Sequence, residues 1–386
     1  MLVVFVSAKL LSEIFERLGQ PGIVGEILAG VLIGPHVLGW MAPSEVLEIL
    51  SDLGVIFLLF SIGLEVRGSE LLRVGGTAVG VAVAGVALSF LAGWGVSALW
   101  GAPPIEGIFT GAAMVATSVG ITARVLASRR LLDTRAARVI LAAAVVDDVL
   151  GLIVLSLVTG LARGRVNYLD IALTAGIAIA FTYLMATIGR QTVKAMMPRV
   201  QARVRLAEGE FSLAMTLLFG LSLLAVYAGV AAIVGAFLAG MALGETVDRR
   251  VHGLTQGVTE LLVPFFLVGV GLRFDISVFA ARPVLLLAVS VILAAVVAKF
   301  TACGLAAIRM GRADAIRVGV GMIPHGEVGM VVAQIGLGMG VMAQSVYGII
   351  VFMSVVTTLL APPLLKVAFR QIAPVAAVEK EISRIG

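Results

Sequence analysis

Apolar residues fill this chain in long stretches, interrupted by short clusters of glycine, proline and charge. A helix needs about 20 apolar residues to cross a bilayer, so the pattern predicts about thirteen membrane helices of roughly 15 to 27 residues each. They fall near 1–18, 21–39, 52–66, 75–100, 104–127, 135–161, 168–189, 209–227, 229–245, 256–274, 283–308, 313–338 and 345–368. Segment 190–208 is instead polar and basic, is interrupted by Pro198, and reads as a connector at the lipid surface. The expected fold class is an all-α polytopic membrane protein.

Three segments recur in the same order. Gly25–Gly34 matches Gly235–Gly244, Val55–Leu64 matches Val263–Leu272, and Gly111–Met114 matches Gly319–Met322, at offsets of 208 or 210 residues. Such internal symmetry is typical of transporters built from duplicated halves. Each copy lies seven predicted helices beyond its partner, an odd number, so the halves are expected to be inverted. The resulting division is a first repeat of six helices over 1–161, a linker helix and connector over 162–208, a second repeat of six helices over 209–370, and a cytoplasmic tail over 371–386.

Composition sharpens this picture. With 60% hydrophobic and 13% charged residues, and a mean hydropathy of +1.11, there is no room for a large water-soluble domain. The net charge of +5 records orientation rather than nucleic-acid binding. With the amino terminus outside, 22 of the 28 lysines and arginines fall in cytoplasmic segments, while only Arg163, Arg165, Arg273 and Arg282 fall outside. Lys9 and Lys299 lie within spans. The expected topology is amino terminus out and carboxyl terminus in, across a cell membrane. The first apolar stretch carries Lys9 and lacks the basic leader and small-residue cleavage site of a signal peptide. The single cysteine, Cys303, excludes an internal disulfide, and His36, His252 and His325 are scattered without metal-ligand spacing. With no nucleophile elbow, phosphate loop or dinucleotide fingerprint, no enzyme activity and no cofactor is expected.

The candidate chemistry is carried by charges inside spans. Asp147 and Asp148 stand together in the apolar run 139–157. A charge at the centre of a membrane helix costs about 2.5 to 3.5 kcal/mol on insertion scales, so the pair points to an ion or proton pathway. Consecutive helical residues are about 100° apart, so one aspartate can meet a basic partner while the other faces a cavity. Lys299, alone near the middle of the eleventh span, is the expected partner. Glu26, in the second span, is expected to pair across a helix interface, and Lys9 to reach toward the membrane surface.

Two spans carry helix-disrupting residues at matching places, Met114–Thr122 and Met322–Gly329. Broken backbone is tolerated in a membrane only beside protein or a water-filled cavity, which makes these breaks a candidate transport site. Thr117, Ser118 and freed carbonyls are candidate cation ligands there. Pro324 and His325 are helix-break residues, and Glu327 is placed to neutralise an exposed helix amino terminus.

Together the segments Ala116–Leu126, Ala144–Ile153, Gly235–Gly240 and Gly319–Gly329 resemble the monovalent cation/proton antiporters, and among them the NapA-like sodium/proton branch. The resemblance covers nearly the whole chain. It implies an NhaA/NapA-like fold with crossed broken helices, a mobile core bundle over 75–161 and 283–370, and a dimerisation bundle over 1–66 and 209–274 that makes a homodimer. It also implies that Asp148 is the main carboxylate for Na+ and H+, that Asp147 is the partner of Lys299, and that Thr117 and Ser118 lie at the crossing. The chain departs from that family in its short first helix and in His325, where relatives carry arginine.

Charge then gives a hypothesis for mechanism. With sodium bound, two ionised aspartates and a neutral Lys299 leave the site at −1; with two protons, a neutral Asp148 and an Asp147–Lys299 ion pair leave it at 0. Exchange of two protons for one sodium is therefore expected to move charge, by elevator-like alternating access of the core against the scaffold. A potassium/proton antiporter and a Kef-type potassium efflux channel are the alternatives.

Overall fold

A computed structural model of the 386-residue chain describes residues 1–18, 20, 22–66, 74–162, 168–185, 209–244, 246–273 and 282–370. All of the expected connector over 190–208 and all of the tail over 371–386 lie outside these residues.

Among the described residues the chain forms α-helices only, apart from one 3₁₀ turn at Ile308–Met310. In order they are α1 (Leu2–Arg17), α2 (Gly22–Ile33), α3 (Glu45–Glu65), α4 (Gly75–Leu99), α5 (Pro104–Ala113), α6 (Val119–Ser128), α7 (Arg135–Ala162) and α8 (Tyr168–Leu184). After the connector come α9 (Gly209–Tyr227), α10 (Ala232–Leu243), α11 (Arg249–Leu272), α12 (Arg282–Ala306), α13 (Arg312–Gly321), α14 (Glu327–Gly338) and α15 (Gln344–Ala368). Among the described residues seven helices are long and apolar enough to cross a membrane, and five shorter apolar helices accompany them.

The ends follow local chemistry. Helix α3 begins seven residues before the expected span because Ser44 caps it, its Oγ accepting from the Leu47 N–H at 3.4 Å, with Glu45 and Glu48 in the first turn. Pro104 opens α5, where a missing N–H costs nothing. Gly101 ends the preceding connection at φ +72, a conformation that other residues resist. The expected spans 104–127 and 313–338 are each two helices, α5 with α6 and α13 with α14, because the chain is extended between them.

The helices pack in two groups. Helices α1, α2, α3, α9, α10 and α11 form one, and α4 to α7 with α12 to α15 form the other. They touch mainly through α3 against α6 and α2 against α15.

Glycines set the closest approaches, and they do so in matching pairs. A methyl at Gly25 would strike the Leu11 carbonyl, and one at Gly235 would strike that of Leu221; both members shift by 210 residues. Gly30 lies against Val268 and Gly271, while Gly240 lies against Phe60 and Gly63. Gly111 meets the Phe90 carbonyl as Gly319 meets that of Phe300. Between lipid-embedded helices, close packing of small residues is a principal source of attraction. The recurring glycines thus make α2 pack on α11 and α10 pack on α3, each helix crossing into the other half of the chain.

Candidate ion site at the meeting of two broken helices

The two breaks lie against each other. The extended segments between α5 and α6 and between α13 and α14 run antiparallel, with Thr117 bridged to His325 and the Ser118 N–H donating to the Pro324 carbonyl at 2.7 Å. Gly326 permits this approach, since a methyl there would press on the Ser118 side chain. Extended backbone in an apolar interior has to find partners for its polar groups. Side chains supply them: Thr122 Oγ1 donates to the Gly321 carbonyl at 2.8 Å, closing the end of α13. His325 is fully buried, with Nε2 3.1 Å from the Met114 carbonyl at the end of α5. Its N–H donates to Thr357 Oγ1 at 3.1 Å, and its carbonyl accepts from Thr358 Oγ1 at 3.2 Å.

Asp147 and Lys299 meet at the first break. Lys299 Nζ donates to Thr117 Oγ1 at 2.7 Å and lies 3.4 Å from each Asp147 carboxylate oxygen. Asp147 Oδ2 also accepts the Thr117 N–H at 2.9 Å, at the amino-terminal approach to α6, where the helix dipole favours negative charge. Both charges are out of solvent, Lys299 at 0% and Asp147 at 1% exposure. An ion pair so buried is supported only when its remaining hydrogen-bonding capacity is also met, and Thr117 does this for both partners.

Asp148 points elsewhere. It lines a narrow cleft with Val119, Leu59, Ile233, Val234 and Phe237, so the cleft lies between α6 and α7 on one side and α3 and α10 on the other. The two adjacent carboxylates therefore occupy different surroundings: one is held by an ammonium, the other stands beside an apolar cleft between the two helix groups.

Of the other sequence candidates, Ser118 and Pro324 join the backbone pairing, and Glu327 opens α14 while its side chain lies outside the described residues. Glu26 pairs with Lys9 across α1 and α2 at 3.3 Å, the glutamate buried and the lysine half-exposed over the Phe5 ring. Sequence reasoning missed Thr357 and Thr358. A hydroxyl in an apolar helix commonly bonds its own preceding turn, and only the adjacency of two threonines in α15 hinted at another use. Among the described residues no three His, Cys, Asp or Glu side chains gather as a metal centre.

Helical architecture, hydropathy and a buried ion pair at facing helix breaks define an all-α polytopic membrane protein with charge held in its interior. The chain belongs to the family described as "Sodium/hydrogen exchanger, transmembrane", which matches residues 2–371, and it is accordingly a transporter. It is 35% identical to the high-affinity Na(+)/H(+) antiporter NhaS3 of Synechocystis, over 99% of this chain and 92% of that one. It is 34% identical to the Na(+)/H(+)-K(+) antiporter GerN of Bacillus cereus, over 95% of each. The fold is like that of the sodium proton antiporter MjNhaP1 from Methanocaldococcus jannaschii, with a TM-score of 0.63, 23% identity and 95% of each chain covered.

Proposed function

We propose that this protein is a secondary active antiporter exchanging Na+ for H+ across the membrane, with Asp148 as the carboxylate that carries either ion in turn. The observation behind this reading is the unequal placement of the two aspartates. Asp147 is committed to Lys299 and Thr117, whereas Asp148 lines the cleft between the helix groups, where an ion could reach it. Competition of sodium and protons for one carboxylate couples their movements without any other energy source. The Na(+)/H(+) antiport for which the relatives NhaS3 and GerN are named supports the same exchange.

In this reading Asp147 and Lys299 act as a second proton store. Sodium binding ionises Asp148 and releases the Lys299 proton while Asp147 stays ionised, so two protons leave for each sodium and the cycle moves one charge. The group of α4 to α7 with α12 to α15 is the moving core, and the group containing α1 to α3 and α9 to α11 is the scaffold and the dimer-forming part. The recurring glycine contacts at a 210-residue offset support two inverted halves, and the uneven lysine and arginine distribution supports an external amino terminus. Potassium is a second candidate substrate, favoured by the likeness to GerN.

The deciding measurement is proton flux in proteoliposomes driven by sodium, lithium or potassium, with and without an imposed voltage. Sodium-driven flux that responds to voltage is the expected result. Flux driven by potassium alone would replace sodium as the substrate, and voltage-insensitive flux would refute the two-for-one exchange.

A further inference from the structure

The ion pair has an uncharged counterpart. Thr117 gives its N–H to Asp147, and His325, 208 residues later, gives its N–H to Thr357, which stands 210 residues after Asp147. Asp148 likewise corresponds to Thr358, which bonds the His325 carbonyl. The residue corresponding to Lys299 is Ser89 on α4, since Phe90 and Phe300 make the same contact with Gly111 and Gly319 at the same 210-residue shift. Lys299 and Ser89 are both fully buried.

The sizes of the side chains compensate. On the first side a long lysine reaches a small threonine; on the second a short serine corresponds to that lysine and a large imidazole to that threonine. Among the described residues the buried Ser89 Oγ and Ser354 Oγ make no hydrogen bond within the chain, and Ser354 lies one turn before Thr357 on α15. Hydroxyls and an imidazole do not suit a cation, which in a membrane interior calls for a carboxylate.

We propose that Ser89, His325, Thr357 and Thr358 form a neutral counterpart of the ion site, and that His325 and Thr357 are positioning residues that hold the Pro324 carbonyl against the Ser118 N–H. The geometric correspondence stands without any functional reading; only the effect on transport rests on the first break being the ion site.

Two series of variants in the full-length chain test this. Thr357→Val removes the acceptor of the His325 N–H at nearly constant volume, and Thr357→Ser keeps it. An orphaned buried N–H should lower the apparent melting temperature in detergent by about 2 °C or more for the valine variant and leave the serine variant close to the parent. Sodium-driven flux should lose maximal rate in the valine variant with little change in half-saturating sodium, and recover in the serine variant. Equal melting temperatures and fluxes for valine and serine would overturn the positioning role. The second series rebuilds the charged arrangement. Thr357→Asp alone should be strongly destabilised, and the triple variant Ser89→Lys, His325→Thr, Thr357→Asp should melt higher than it. A triple variant no more stable than Thr357→Asp would overturn the correspondence. These melting readouts are independent of transport, and loss of the ion-site reading would be seen separately in Asp148 variants.

Discussion

Lys299 and Asp147 are 152 residues apart in sequence, yet their charges meet in the protein interior with Thr117 bonded to both. The pair closes one side of the first helix break and leaves the neighbouring carboxylate to the cleft. Substituting one partner should therefore be worse than substituting both. Breaking a buried pair costs about 3–5 kcal/mol because the survivor is left uncompensated, so Lys299→Met and Asp147→Asn should each lower thermal stability sharply. The double variant should recover part of that loss. Additive losses in a double-mutant cycle on the purified protein would count against a coupled pair.

Asp148 should behave differently. Asp148→Asn keeps the shape of the side chain and removes the charge, so folding should survive while sodium-driven proton movement in proteoliposomes is abolished. Unchanged exchange in this variant would remove Asp148 from the mechanism.

The wall behind the ammonium gives a third test. A methyl on Gly85 would lie 2.9 Å from Cys303 Sγ and 3.6 Å from Lys299 Nζ. Overpacking of this kind costs about 1–3 kcal/mol, so Gly85→Ala should lower stability and slow transport. Cys303→Ala in the same chain should restore both by vacating the space. Gly80→Ala, on the same helix with nothing near the added methyl, is the control expected to have no effect. Failure of Cys303→Ala to rescue would show that the collision lies elsewhere.

The scaffold predicts a fourth outcome. At Gly30 and Gly63 an added methyl would meet backbone of the facing helix, which cannot rotate aside as a side chain can. Gly30→Ala and Gly63→Ala should therefore reduce folded protein in the membrane, measured as monodisperse material after extraction. Gly76→Ala, where the methyl meets open space, should not.

Much of the architecture was legible without coordinates, for particular reasons. Hydropathy located the spans because a bilayer admits little else, and Pro324 and Gly326 located one break because neither favours a continuous helix. Boundaries were less legible: α3 runs back to Glu45 because a Ser44 cap extends a helix through polar residues that hydropathy alone excludes. Glu26 was legible as needing a partner, but its partner is Lys9, a residue expected to reach toward the membrane surface.

The sequence by itself determined a helical membrane protein, two breaks, and a pair of carboxylates too costly to place in lipid without a purpose. It determined these because apolar runs, helix breakers and buried charges carry their free-energy consequences locally. Helix periodicity left open which aspartate faces Lys299, the resemblance pointed to Asp147, and the tertiary structure pairs them; only the tertiary structure drew Thr122, Thr357 and Thr358 to the backbone of the breaks. Those choices depend on how helices rotate against one another, and that rotation is fixed by glycine-to-backbone contacts between residues some two hundred positions apart.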